Sequence, residues 1–286
     1  MNDLFAIKDL EFTYPNHPAP TLKKISFTIP EGTIFGLLGP SGAGKSTTQK
    51  ILTKLLSGWK GEVLFRGKDL KSYGKDFYEG VGVGFEMPVH FGKLTGLENL
   101  KYFAGLYKKN LDYEALLSAV GLYEARNQAV SEYSKGMKVR LNFVRAMLND
   151  PQVLFLDEPT NGLDPKNARI VKDLILDFRK QGKTVLITTH LMGDVEQLCD
   201  EVVFMTEGSL SSIKSPRDWK IEYGRPEVAV EWREGTGLSK EVFPLSGLAE
   251  NASFLECLKK PVETIHSGET SLDDIFIRVT GAKKNA

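Results

Sequence analysis

The sequence is poor in the features that would place a chain in a bilayer, in a disulfide scaffold or on a nucleic-acid backbone. Its 286 residues include only two cysteines, Cys199 and Cys257, far apart and without metal-ligand spacing. They read as small buried thiols in a reducing compartment rather than as a disulfide framework. Net charge is also missing, because 37 basic residues balance 37 acidic ones. That neutrality argues against nucleic acid held chiefly through its phosphates. No charge-free run approaches the length needed to cross a membrane, and Met1-Asn2-Asp3-Leu4-Phe5 offers neither a basic region nor a long apolar core. The expectation is a cytoplasmic protein whose membrane role, if any, comes through a partner. There is no internal repeat.

What the chain does have is Gly39-Pro40-Ser41-Gly42-Ala43-Gly44-Lys45-Ser46-Thr47, between an apolar run from Thr33 to Leu38 and a helical pattern reaching Leu56. Three glycines let backbone amides turn inward on an anion, and the helix that follows adds the positive end of its dipole. Lys45 is placed to reach the β- and γ-phosphates of a nucleoside triphosphate and the Ser46 hydroxyl to ligate Mg²⁺. A solvated glycine turn is the bland alternative, and strand before plus helix after weigh against it.

The second strong signal is Pro151-Gln152-Val153-Leu154-Phe155-Leu156-Asp157-Glu158-Pro159. Four consecutive apolar residues suit a parallel strand covered on both faces, and open α/β sheets place ligands at the C-terminal ends of such strands. Asp157 is positioned to hold Mg²⁺, and Glu158 is the candidate base for the attacking water. Another buried strand, Thr184 to Thr189, ends at His190, which could donate to the γ-phosphate.

The expected fold is α/β, a P-loop NTPase core on a mostly parallel sheet. Around it the pattern places an antiparallel β subdomain (Ile25, Phe27 and Ile29 on one face; Glu62 to Arg66 as a further strand), an inserted α-helical subdomain over about 87–150, and a small α+β C-terminal extension. The domain bounds read as 1–212 and 220–282, with Ser209, Ser211, Ser212, Ser215 and Pro216 as a linker. The extension reads as a strand from Glu227 to Trp232, a short helix from Phe254 to Lys259, a strand from Val262 to His266, and a helix capped by Ser271 that carries Leu272, Ile275 and Phe276.

Taken together, and with Tyr133-Ser134-Lys135-Gly136-Met137 heading a helix between the phosphate loop and the acidic strand, these residues resemble the ATP-binding subunits of ABC transporters over nearly the whole chain. The usual form of that signature is Leu-Ser-Gly-Gly-Gln. The resemblance implies a head-to-tail homodimer in which Ser134, Lys135, Gly136 and Met137 of one copy close on ATP held by Lys45 of the other. It implies that Asp164, in Asn161-Gly162-Leu163-Asp164, reaches across that dimer, that Tyr14 stacks on adenine, and that His190 is the switch histidine. Glu86, after Val81-Gly82-Val83-Gly84-Phe85, stands where the family carries a glutamine that touches Mg²⁺ and links the site to an integral membrane permease.

Glu86 and Lys135 are departures from the common form. Together with the tail Glu269-Thr270-Ser271-Leu272-Asp273-Asp274-Ile275-Phe276 they resemble the branch serving drug, sodium and polysaccharide-type exporters. The aromatic-rich stretch Phe85 to Tyr107 would supply much of the groove for the permease. The competing expectation is a soluble ATPase of the same family acting in translation or DNA repair, whose double cassettes or long coiled coils are not seen here. A P-loop kinase or GTPase has no use for Ser134-Lys135-Gly136 at a helix start.

Overall fold

The computed structural model describes residues 2–281 apart from 88, 110, 225, 236 and 269, so Glu269 of the tail pattern lies outside the described residues. The chain divides between Ser215 and Pro216 into two compact units.

The alternating residues near the start form β1 (Asp3–Phe12) and β2 (Leu22–Pro30), an antiparallel pair that buries Ile25, Phe27 and Ile29. β3 (Ile34–Leu38) is buried at every position and runs into the glycine-rich loop and α1 (Lys45–Leu52). The helix stops four residues short of Leu56, in a turn where Lys54 takes a positive φ of 59°. β4 (Lys60–Phe65) and β5 (Lys68–Asp69) complete a four-stranded antiparallel sheet in the order β2-β1-β4-β5.

After β6 (Val81–Gly84) come three helices, α2 (Gly96–Ala104), α3 (Tyr113–Ala119) and α4 (Lys135–Met147). Each has a side-chain cap: Thr95 and Glu98 form a capping box on α2, Asp112 caps α3, and Ser134 caps α4 by accepting from the Met137 N–H. Such a cap contributes about 1 kcal/mol. β7 (Val153–Asp157), α5 (Pro165–Lys180), β8 (Thr184–Thr189), α6 (Met192–Leu198), β9 (Glu201–Thr206) and β10 (Ser209–Leu210) finish the first unit.

The main sheet has the order β10-β9-β3-β8-β7-β6, parallel except for β10. Successive residues of its central strands feed opposite cores. Phe35, Phe155 and Leu186 pack toward the antiparallel sheet, whereas Ile34, Leu154, Leu156, Val185 and Ile187 pack with the helices. Both faces are covered, which is why these strands read as unbroken apolar runs.

The serine-rich stretch expected as a linker is largely a sheet edge. Glu207 and Gly208, both at positive φ (47° and 75°), make a two-residue turn, β10 pairs with β9, and Lys214 bridges to Val202. Two positive-φ residues suit the hairpin turn whose twist matches its strands. Composition suggested a linker because a two-residue edge strand has no room for a period.

The second unit contains α7 (Pro216–Tyr223), β11 (Glu227–Glu234), β12 (Gly237–Pro244), α8 (Ala252–Cys257), β13 (Val262–Gly268) and α9 (Leu272–Thr280). Its antiparallel sheet is ordered β12-β11-β13, with Val230, Trp232 and Phe243 in a small core. β12 was invisible to pattern reading because Phe243 alone of its eight residues is buried. Ser271 caps α9 through the Asp274 N–H, and Leu272 and Ile275 are fully buried. Among the described residues no helix is long and apolar enough to cross a membrane.

Candidate active site

The C-terminal ends of β3, β7 and β8 lie side by side. Leu38 pairs with Thr189 and Asp157 with Thr188, so the loops after these strands open at one edge of the sheet. The glycine-rich loop leaves β3 there because glycine is required. At Gly39 (φ 153°) a Cβ would lie 2.1 Å from the Met205 carbonyl oxygen, and at Gly44 (φ 113°) 2.8 Å from a Leu22 methyl. Gly44 then heads α1 with no side-chain cap and no acidic residue in the first turn. Uncapped amides at the positive end of a helix fit an anion.

Lys45 is buried in this loop, its Nζ donating to Gly39 O at 2.6 Å and Pro40 O at 3.1 Å. Burial pulls its pKa below the ordinary lysine value, while the charges of Glu158, Asp157 and Glu86 oppose that shift. Ser41 and Gly42 are exposed at the loop's tip and Ala43 is buried beneath it. Tyr14 lies alongside, its hydroxyl 3.2 Å from Thr47 Oγ1 and its ring edge-on to Phe12.

Asp157 Oδ2 is 3.5 Å from Ser46 Oγ, and its Oδ1 accepts from Thr188 Oγ1. Burial raises the Asp157 pKa, the Glu158 charge adds to the rise, and the Thr188 hydrogen bond opposes it. The donor set suits a hard divalent cation held by one or two carboxylates together with substrate phosphates. Among the described residues no cluster of three or more His, Cys, Asp or Glu could hold a metal without such help.

Glu158 is buried and sits at φ 49°, a left-handed conformation strained by about 1–3 kcal/mol for a non-glycine residue. Its N–H donates to Thr188 O at 2.8 Å and its carbonyl accepts from the Asn161 N–H at 3.1 Å, which pins the turn. The carboxylate accepts from Thr189 Oγ1 at 2.8 Å and faces His190 Nδ1 at 2.6 Å. His190 thus faces Glu158 through Nδ1. Glu86 is exposed and shares with Ser46 and Asp157 a groove of about 840 Å³. Apolar side chains continue that groove, Met87 and Val89 being 82% and 80% exposed.

Ser134, Lys135, Gly136 and Met137 gather elsewhere, with Asp164. A Cβ on Gly136 would lie 3.4 Å from Leu163, and the Lys135 side chain crosses Gly162. Asp164 caps α5 through the Asn167 N–H at 3.0 Å, and that bond lowers its pKa. Among the described residues no hydrogen bond or ion pair joins this group to the one around Lys45 within the chain.

Sequence reading missed Gln49 and gave no role to the side chains of Thr188 and Thr189. All three are buried around the acidic pair. The available signal was a glutamine beside Thr48 and Leu52 on the inward face of α1.

A glycine-rich loop passing from a central parallel strand to an uncapped helix, with an acidic pair at the end of another strand of the same sheet, defines a P-loop nucleoside triphosphatase. Residues 22–161 match the ABC transporter family, and residues 227–269 match the fluoroquinolone efflux ABC transporter C-terminal domain. A fluoroquinolones export ATP-binding protein of Mycobacterium tuberculosis (strain H37Rv) is 48% identical over 98% of this chain and 94% of its own length. A lantibiotic transport ATP-binding protein of Streptococcus pyogenes is 35% identical over 66% of this chain and 82% of its own. A solved ATP-binding subunit of an ABC transporter superposes with a TM-score of 0.70 at 27% identity, covering 77% of this chain and 93% of that one. The chain belongs to the ATP-binding proteins of ABC transporters, and it is an ATPase coupled to transport.

Proposed function

We propose that this chain is the motor of an exporter: two copies sandwich ATP and Mg²⁺ head to tail, and their closing and reopening drives a separate integral membrane permease from its cytoplasmic face. The observation that carries the reading is the meeting of Lys45, Ser46, Asp157 and Glu158 at one sheet edge. Mg²⁺ would supply charge neutralisation at the β- and γ-phosphates, with Ser46, Asp157 and Glu86 as its holders. Lys45 exchanges the Gly39 and Pro40 carbonyls for phosphate oxygens. Glu158 takes the proton of the attacking water, and His190 and Thr189 hold it in line. Tyr14 stacks on the adenine.

The second half-site comes from the partner copy. Ser134 is exposed at the N-terminus of α4, and a helix N-terminus is suited to capping a γ-phosphate. Asp164 reaches across the same interface. The exposed apolar groove beyond Glu86 is suited to the permease. Residues 1–212 form the motor and 220–282 an accessory domain.

Relatives named for fluoroquinolone export favour a drug-type cargo. The direct test is to purify the chain with its membrane partner, reconstitute both in vesicles and follow ATP-dependent fluoroquinolone movement. Drug accumulation that stops with Glu158→Gln supports the reading, and ATP hydrolysis without movement of any drug counts against the cargo class.

A further inference from the structure

We infer that Gln49 is a positioning residue for Asp157, acting through the hydroxyl of Thr188; this rests on the reading of Asp157 as a cation holder. Gln49 is 4% exposed on α1, with Oε1 3.1 Å from Thr188 Oγ1 and Nε2 buried without a hydrogen-bond partner. Thr188, fully buried on β8, also touches Asp157 Oδ1 and lies 3.4 Å from Leu156 O.

A hydroxyl has one hydrogen to give, and a carboxylate can only accept. The Thr188 hydrogen therefore goes to Asp157. An amide oxygen facing Thr188 would then meet a lone pair, while the Gln49 NH₂ stays stranded. Turning the amide end for end removes the first conflict and halves the second. Nitrogen and oxygen of an amide have the same shape, so the hydrogen-bond partners decide between them. Nε2 then donates one hydrogen to Thr188 Oγ1, so one N–H and the carbonyl oxygen, rather than two N–H hydrogens and a clashing oxygen, are left without a partner.

The result is a directed chain from the Gln49 N–H through the Thr188 O–H to Asp157 Oδ1. Ser46 lies one turn earlier on α1 and faces the other carboxylate oxygen, Oδ2, at 3.5 Å. One helix thus holds Asp157 by both oxygens, Ser46 directly and Gln49 through β8. This fixes the plane of the carboxylate and directs Oδ2 toward the cation. It also makes Gln49 sensitive to charge, because a glutamate at 49 has no hydrogen to offer and would compete for the one on Thr188.

The test is Mn²⁺ binding to the full-length chain with a non-hydrolysable ATP analogue, followed by electron paramagnetic resonance. Gln49→Leu and the isosteric Gln49→Glu are each expected to weaken Mn²⁺ by about 10-fold, as loss of a group orienting a metal ligand does. Binding of the analogue in EDTA should not change. Thr188→Val should match Gln49→Leu, the double variant should be no weaker than Thr188→Val alone, and Thr188→Ser should stay near wild type. Mn²⁺ affinity within about twofold of wild type in both Gln49 variants overturns the inference. Additive losses in the double variant overturn it as well. If Asp157→Ala leaves Mn²⁺ affinity intact, the cation-holder reading fails together with it; if Asp157→Ala abolishes binding while the Gln49 variants do not weaken it, the inference alone fails.

Discussion

His190 holds Glu158 twice: its backbone N–H and its ring Nδ1 both reach Oε1, at 3.1 Å and 2.6 Å. With Thr189 on Oε2, each oxygen of the carboxylate has a partner before substrate arrives. An amide in that place keeps the size but cannot take a proton from water. Glu158→Gln is expected to lower kcat by about 10²–10⁴-fold while ATP binding persists. His190→Ala should lower kcat less, since Thr189 Oγ1 and the backbone N–H of residue 190 remain. Steady-state hydrolysis with filter binding of ATP checks both, and wild-type turnover in Glu158→Gln would remove Glu158 from its role.

Lys45 already exchanges bonds with its own loop, so its ammonium is oriented before it meets phosphate. Lys45→Ala removes one or two charge-assisted hydrogen bonds to substrate. ATP affinity measured by calorimetry should fall by about 1.5–3 kcal/mol, roughly 10- to 150-fold. Unchanged affinity would count against the phosphate-loop assignment.

Much of this geometry was legible in the sequence. The loop from Gly39 to Thr47 and the acids after Leu156 are local, and their chemistry needs those residue types in that order. Ser134 could be placed at the start of a helix because the signals of a helix N-terminus lie within a few consecutive residues. The Gln49–Thr188–Asp157 contacts were not legible, since they join residues 139 and 31 positions apart through a sheet register that no short pattern encodes. The partnership of Glu158 and His190 was hidden for the same reason, although each residue was marked singly. In the second unit β12 escaped notice because an exposed edge strand has no buried face to write a period in the sequence.

His90 gives a pH prediction. Its Nε2 meets Lys138 O at 3.1 Å, and burial, with repulsion from Arg145 and Lys138, pushes its pKa down to about 4 from 6.5. A base whose folded pKa is depressed stabilises the fold above its unfolded pKa and loses that contribution as pH falls toward the folded value. Between about pH 6.5 and 4 the wild-type Tm should therefore decline more steeply than that of His90→Phe. Parallel declines would place the acid sensitivity elsewhere.

Glu86 lines the same groove as Ser46 and Asp157, where its exposed apolar stretch begins. Glu86→Gln removes a charge near Lys45 without removing the side chain's reach. Basal ATPase of the isolated chain should change by less than about threefold, whereas drug transport per ATP in the reconstituted complex should change by more than about tenfold. Equal losses in both would make Glu86 a metal holder only.

In the proposed head-to-tail dimer two copies share each nucleotide. In a Glu158→Gln background with Cys199 and Cys257 replaced by alanine, cysteines at Ser41 and Ser134 should form a crosslink between copies when ATP and Mg²⁺ are present and lose it when ATP is withheld. A dimer that forms with ATP but never joins these two positions, under a range of crosslinker lengths, would contradict the account.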